Sequence, residues 1–277
     1  MSSDLDSRLR SLQQYAPSQN ERIKLLSSPR FFQDPDNPFW LQLWYSVWVH
    51  QARVISDEDH KVARSSGLGT IDDSLVLPDV VPPSCRVMTN PDIARDCWNF
   101  NCTKFLIRSQ YHKAEEFALS ICHDEDIQAL VITGQPGIGL FYLYPDSIRS
   151  QDFVSGKSAF LFRTLLRRLK FKLPTALQVG PNSALLFYEE GVKKFAQLSL
   201  SEGTPYNKLR SYSGPGRIWA LVDTNQELLQ PSPLFQEGPF FVVGASSPRP
   251  VCHNWVRRVS HEFFYMEQWS FAEVLQV

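Results

Sequence analysis

The chain has 277 residues, 43% hydrophobic and 21% charged, which is ordinary for a folded globular protein and enough to bury a sizeable core. Its formal net charge is -1 and no long basic block occurs, so composition gives no support to charge-driven nucleic-acid binding. Residues 1–10 are polar and charged, which excludes a secretory leader there and makes a cytoplasmic or nuclear location the expectation.

Residues 1–30 read as a polar leader with short helical possibilities, broken at Pro17. At Asn37 and Pro38 a helix start is sharper, because Asn caps helices and Pro fits the first turn. Phe39, Trp40, Leu43, Trp44, Val47 and Trp48 then recur at helical spacing and form one wide apolar face. The stretch is too short to span a bilayer, so no transmembrane segment is expected. Packing against the body of the protein is the favoured role for this face; docking on a membrane or a protein partner is the alternative. Residues 56–92 are rich in Gly, Ser, Asp and Pro and read as a linker or irregular connection.

From residue 100 the texture becomes that of alternating helices and strands. Residues 109–122 have helical register, and 129–133 form a short apolar strand ending at Gly134. A helix is expected over 157–170. Strands are expected over 175–179 and 184–188, then 218–222, 240–244 and 261–266. Ser270 and Glu273 have the spacing of a helix start, and the chain stops at Val277 barely one turn later, which reads as a truncation. The expected organisation is a mainly helical and irregular extension over 1–99 and an α/β core over 100–277.

Five cysteines stand at 85, 97, 102, 122 and 252, an odd number without the spacing of a disulfide framework. Cys97 and Cys102, with His112 and His123, form the one conceivable metal cluster. No second cysteine pair completes it, so the cysteines are read as reduced and structural.

The chemistry concentrates where the strand at 129–133 ends. A phosphate-binding P-loop needs Gly-x-x-x-x-Gly-Lys-Ser/Thr between a strand and a helix. Its backbone N–H groups wrap the phosphates, the lysine pairs with their charge, and the hydroxyl ligates magnesium. Gly134, Gln135, Pro136, Gly137, Ile138 and Gly139 follow the strand, but Leu140 comes next. The missing elements appear later as Gly156, Lys157 and Ser158, opening the next helix. Deleting residues 140–156, seventeen in all, leaves Gly-Gln-Pro-Gly-Ile-Gly-Lys-Ser without a seam. Each half alone is a glycine turn or a helix start; in order, and between a strand and a helix, they read as one P-loop divided by an insertion. The insertion is either a retained intron translated in frame or a genuine inserted loop.

Two further strands carry candidate residues. The strand at 218–222 ends in Asp223, where P-loop proteins place the carboxylate that holds magnesium. Thr224 and Asn225 follow, so no glutamate stands next in line to activate water, and efficient hydrolysis is not expected. The strand at 240–244 leads to Ser246 and Ser247, candidate sensors of a terminal phosphate with Arg249 nearby; simple turn residues before Pro248 are the equal alternative.

The runs 105–111, 131–139, 158–168, 185–192, 219–225, 245–249 and 264–270 together resemble the P-loop ATPase module of fungal proteins related to crinkler effectors and retrotransposon hot-spot proteins. The resemblance covers roughly residues 100–277. It implies a mostly parallel sheet of the additional-strand type and ATP bound with Mg2+. Lys157 then acts on phosphate as the catalytic cation, Ser158 and Asp223 hold the metal, and the chain is a module of a larger protein. The insertion departs from the family pattern and predicts weak or no ATP binding, restored by removing residues 140–156. The alternative is an interaction module that retains only the fold.

Overall fold

The computed structural model describes residues 2–20, 32–33, 35–50, 58–59, 86–89, 104–134, 156–181, 183–195, 217–224, 228–246 and 250–267. In chain order the elements are α1 (Ser2–Gln13), β1 (Phe32–Gln33), α2 (Pro38–Trp44), β2 (Glu58–Asp59), β3 (Arg86–Thr89), β4 (Lys104–Ile107), α3 (Ser109–Ile121) and β5 (Ala129–Gly134). There follow α4 (Gly156–Lys170), β6 (Thr175–Gly180), β7 (Ser183–Tyr188), β8 (Gly191–Phe195), β9 (Ile218–Thr224), α5 (Pro233–Glu237), β10 (Phe240–Ser246) and β11 (His261–Met266). A single π-helical turn, Tyr45–Val49, continues α2, and a 3-10 segment, Pro250–Arg258, leads into β11.

The continuous apolar runs of β5, β9 and β10 demand cover on both faces, and the architecture provides it. Eight strands form one mixed sheet in the order β1-β8-β7-β6-β9-β10-β5-β11. The five from β6 to β11 are mutually parallel, and β7, β8 and β1 extend the sheet by antiparallel pairing. Successive side chains along each strand go to opposite layers. Leu130, Ile132, Leu221, Phe241 and Val243 join one hydrophobic cluster with α1, α2, α3 and α4. Ala129, Val131, Ala220, Val222 and Val242 join a second, with Phe235, Trp255 and Val256. The expected α/β class with a mostly parallel sheet is observed, and each core strand forms within two residues of its expected bounds.

The N-terminal segment differs from its reading as a polar leader. Leu5, Leu9 and Leu12 repeat at i, i+4 and i+7, and all three are buried in the same cluster as the sheet. Charged residues on the other faces of α1 mask this stripe in a composition count. The aromatic helix behaves as its favoured reading expects. The Asn37 side chain accepts a hydrogen bond from the Phe39 amide at 3.0 Å, Pro38 occupies the first turn, and Phe39, Trp40, Leu43, Val47 and Trp48 are buried. With that face packed inside, it is not open for docking.

Within 56–92, read as an irregular connection, β2 and β3 pair antiparallel, and β3 pairs with β4 to complete a separate three-stranded sheet. These strands are too short to show a two-residue period. Strand β8 was likewise not anticipated, because Lys193 and Lys194 interrupt its apolar pattern. The expected helix at 270–273 lies outside the described residues. No helix among the described residues is long and apolar enough to cross a membrane.

The burial of α2 sets a direct test. Leu43 is 1% exposed and Leu41 is 48% exposed. Leu43→Ala is expected to cost about 2–5 kcal/mol in urea unfolding, whereas Leu41→Ala costs less than about 1 kcal/mol. Equal small losses would show that the helix is not part of the cooperative core.

Candidate functional site

Parallel strands deliver their C-terminal ends to one edge of a sheet, and here three of those ends carry the candidate residues. Strand β10 lies between β5 and β9, with Gly244 opposite both Val131 and Val222 and Ala245 opposite both Ile132 and Asp223. Gly134, Asp223 and Ser246 therefore end at one sheet edge. Helix α4 begins at the same edge and brings Gly156, Lys157 and Ser158 with it.

Gly134 meets a strict steric requirement. Its φ is +155°, and a Cβ there would stand 2.7 Å from the carbonyl oxygen of Met266 on the neighbouring strand β11. No side chain fits that approach without moving backbone. The chain can leave β5 at this point only because the residue is glycine.

The Ser158 hydroxyl donates to Asp223 Oδ2 at 2.5 Å, joining the first turn of α4 to the end of β9. The Lys157 ammonium donates to the Gly134 carbonyl at 3.4 Å, joining the same turn to the end of β5. Lys157 is 5% exposed. Burial pulls its pKa below the ordinary lysine value, and the nearby Asp223 charge offsets part of that. Burial pushes the Asp223 carboxyl up, against the opposing effects of the Ser158 hydrogen bond and the Lys157 charge. The cluster thus sets a hydroxyl, a carboxyl group and an amine at one sheet edge, and the Lys157 and Asp223 charges each favour the other's charged form.

Residues far apart in sequence are therefore neighbours in space: Gly134 and Lys157 meet across 23 positions. Ser246, at the end of β10, is 1% exposed. Beside it Thr224 donates its hydroxyl to the Ala245 carbonyl at 2.8 Å, so the residue after Asp223 is tied to the neighbouring strand. Gln135, Pro136, Gly137, Ile138, Gly139, Ser247 and Arg249 lie outside the described residues, as does the insertion up to residue 155.

One further residue belongs to this edge. Thr133 is 2% exposed, and its hydroxyl has no hydrogen-bond partner. A buried unpartnered hydroxyl immediately before the glycine turn is a costly feature. Its sequence signal was a lone hydroxyl at the end of an otherwise apolar run. Among the described residues no group of three His, Cys, Asp or Glu gathers, but the cysteine and histidine cluster considered from sequence is not among the sets this covers. Cys97 and Cys102 lie outside the described residues. Cys122 is a buried free thiol, as its structural reading expects.

Comparison with protein-family models, with curated proteins and with solved structures finds no match for this chain.

The raised Asp223 pKa has a definite sign in stability. The folded chain holds this proton more tightly than the unfolded chain, whose value lies near 3.8. Stability from this group is complete below that value and is lost as pH rises through the higher folded value. Asp223→Asn is therefore expected to match the parent at pH 3.5 and to melt higher at pH 7. Thermal unfolding across this range checks it, and a variant that is less stable at every pH contradicts the assignment. The depressed Lys157 value acts in a separate alkaline window, where stability rises with pH toward the ordinary value of 10.5.

Proposed function

We propose that the edge formed by Gly134, Lys157, Ser158 and Asp223 binds the phosphates of a nucleotide with a divalent cation, as a P-loop of the additional-strand type. The observation that carries this reading is the Ser158–Asp223 contact at 2.5 Å beside the Lys157–Gly134 contact. Sequence places these residues on three separate elements, and a P-loop requires them to meet. The position of β10 between the glycine-turn strand and the Asp223 strand supports the same reading, as do the family motifs over 100–277.

The donor set fits magnesium, a hard cation that takes a few protein oxygens and keeps the rest of its shell for water and phosphate. Ser158 Oγ and Asp223 Oδ2 would hold it, and it would supply charge neutralisation on the phosphate oxygens. Lys157 adds a cation at the start of α4, and the amides of that first turn add the positive end of the helix dipole. Ser246 stands at the neighbouring strand end, the place of a residue that touches the terminal phosphate. The position after Asp223 holds a threonine bonded to backbone, so it offers no base for water. Binding, with slow turnover, is the activity this arrangement supports; ATP is the nucleotide the family resemblance implies.

The insertion lengthens the loop between the strand and the helix without displacing Lys157 from Gly134. Extending a loop of a few residues by seventeen costs about 1.4 kcal/mol in closure entropy. That corresponds to roughly tenfold weaker binding if the phosphate orders the loop.

Isothermal calorimetry with magnesium-ATP tests the proposal. The parent chain is expected to bind weakly, deletion of residues 140–156 to tighten binding roughly tenfold, and Lys157→Ala to abolish it in either background. Heat unchanged by Lys157→Ala, or no binding even after deletion, overturns the proposal and leaves a module that retains only the fold. Sequencing the mature transcript separates the two origins of the insertion: a message lacking codons 140–156 identifies a retained intron.

A further inference from the structure

The far end of α4 carries a second concentration of charge, unconnected with the phosphate edge. Arg168 lies eleven positions beyond Lys157, about 16 Å along the helix. Its side chain is 1% exposed. Nε donates to Thr175 Oγ1 at 2.9 Å, one terminal nitrogen donates to the Pro174 carbonyl at 3.0 Å, and the guanidinium lies over the Trp219 ring at 4.4 Å. The other terminal nitrogen, Nη1, has no partner, and no carboxylate pairs directly with the group. Its neighbours on the same helix are treated differently: Arg163 and Arg167 both pair with Glu115, and Arg167 also with Asp6.

Arg168 lines a cavity of about 10 Å³ together with Gln19, Cys122, His123, Arg217 and Trp219. That is about the least space that holds one water-sized particle, so a tetrahedral oxyanion does not fit and a monatomic anion is the one anion class of the right scale. The wall is electropositive. Arg217 contributes a second guanidinium, held by the carbonyls of Cys122, Asp124 and Ile127 at the end of α3. Arg8 adds a positive charge acting on both Cys122 and His123.

Among the described residues no carboxylate makes an ion pair with Arg168 or Arg217. Glu115 acts on Arg168 but is committed to the other two arginines, and Asp124 and Glu125 act on Arg217 without pairing with it. The Cys122 thiol donates to the Leu119 carbonyl at 3.5 Å, and burial pushes its pKa up, so it supplies no thiolate. Burial pulls Arg168 down to about 9, which leaves it protonated at neutral pH. A buried cation with an unmade hydrogen bond, next to a cavity of one-ion size, needs a compensating anion.

We propose that this cavity is a binding site for one small inorganic anion of chloride size, held between Arg168 and Arg217. The site lies where α1, the end of α3, the end of α4 and the start of β9 meet. An anion there ties the N-terminal segment to the sheet.

The test is thermal unfolding of the full chain in sodium chloride against sodium gluconate at equal ionic strength, gluconate being too large to enter. Chloride at about ten times its Kd is expected to raise Tm by about 2–4 °C over gluconate. Arg168→Met should remove the difference between the two salts, and Arg217→Gln serves the same purpose if Arg168→Met does not fold. A crystal soaked in bromide should show an anomalous peak between the two guanidiniums. Equal Tm in the two salts, with no bromide peak, assigns the cavity to water and overturns the proposal. So does a chloride effect that survives undiminished in the folded variant.

Discussion

Helix α4 is buried along almost its whole length, yet it carries a lysine and three arginines into the interior. That conflict between burial and charge organises the molecule. Each cation must find compensation within the fold, because leaving a buried charge unpaired costs several kcal/mol. Glu115 on α3 meets Arg163 at 2.8 Å and Arg167 at 3.1 Å, and Asp6 on α1 meets Arg167 from the other side. Two carboxylates thereby join three helices, Glu115 linking α3 to α4 and Asp6 linking α1 to α4. Lys157, at the opposite end, is balanced by the Gly134 carbonyl and the nearby charge of Asp223.

The sheet answers the same demand from below. Both terminal groups of α4 lean on strand ends: Ser158 on β9 and Arg168 on Thr175 at the start of β6. Two hydrogen-bonded tethers at its ends, with Phe160, Leu161, Leu165, Leu166 and Leu169 buried between them, hold the helix axis against the sheet. The candidate edge built this way draws its geometry from the core: Gly134 and Asp223 end parallel strands, and the register of β9 on β10 is set by a hydrogen-bond ladder over their full length. Lys157 and Ser158 reach the same edge from the first turn of α4.

Much of this was readable in order along the chain. The apolar runs of β5, β9 and β10 were legible because a strand covered on both faces has no polar alternation to obscure it. Lys157 and Ser158 drew attention because they open a helix that follows a strand ending in glycine, an order that can be read along the chain. What stayed hidden was α1, where three leucines are outnumbered by polar residues, and β8, where two lysines break the pattern. Thr133 was passed over because an unmade hydrogen bond is a property of surroundings.

The α/β class with a mostly parallel sheet follows from local periodicity alone, and a short motif was enough to single out Gly134, Lys157, Ser158 and Asp223 as candidates. The meeting of Ser158 with Asp223 across 65 positions, and of Lys157 with Gly134, was decided only by tertiary structure. So was the contrast among three arginines on one helix, two paired with Glu115 and one left over a tryptophan ring beside a cavity. The physical reason is the same in each case. Charge compensation and close approach depend on which elements are neighbours, and neighbourhood in a sheet with crossed connections is set by packing of the whole chain.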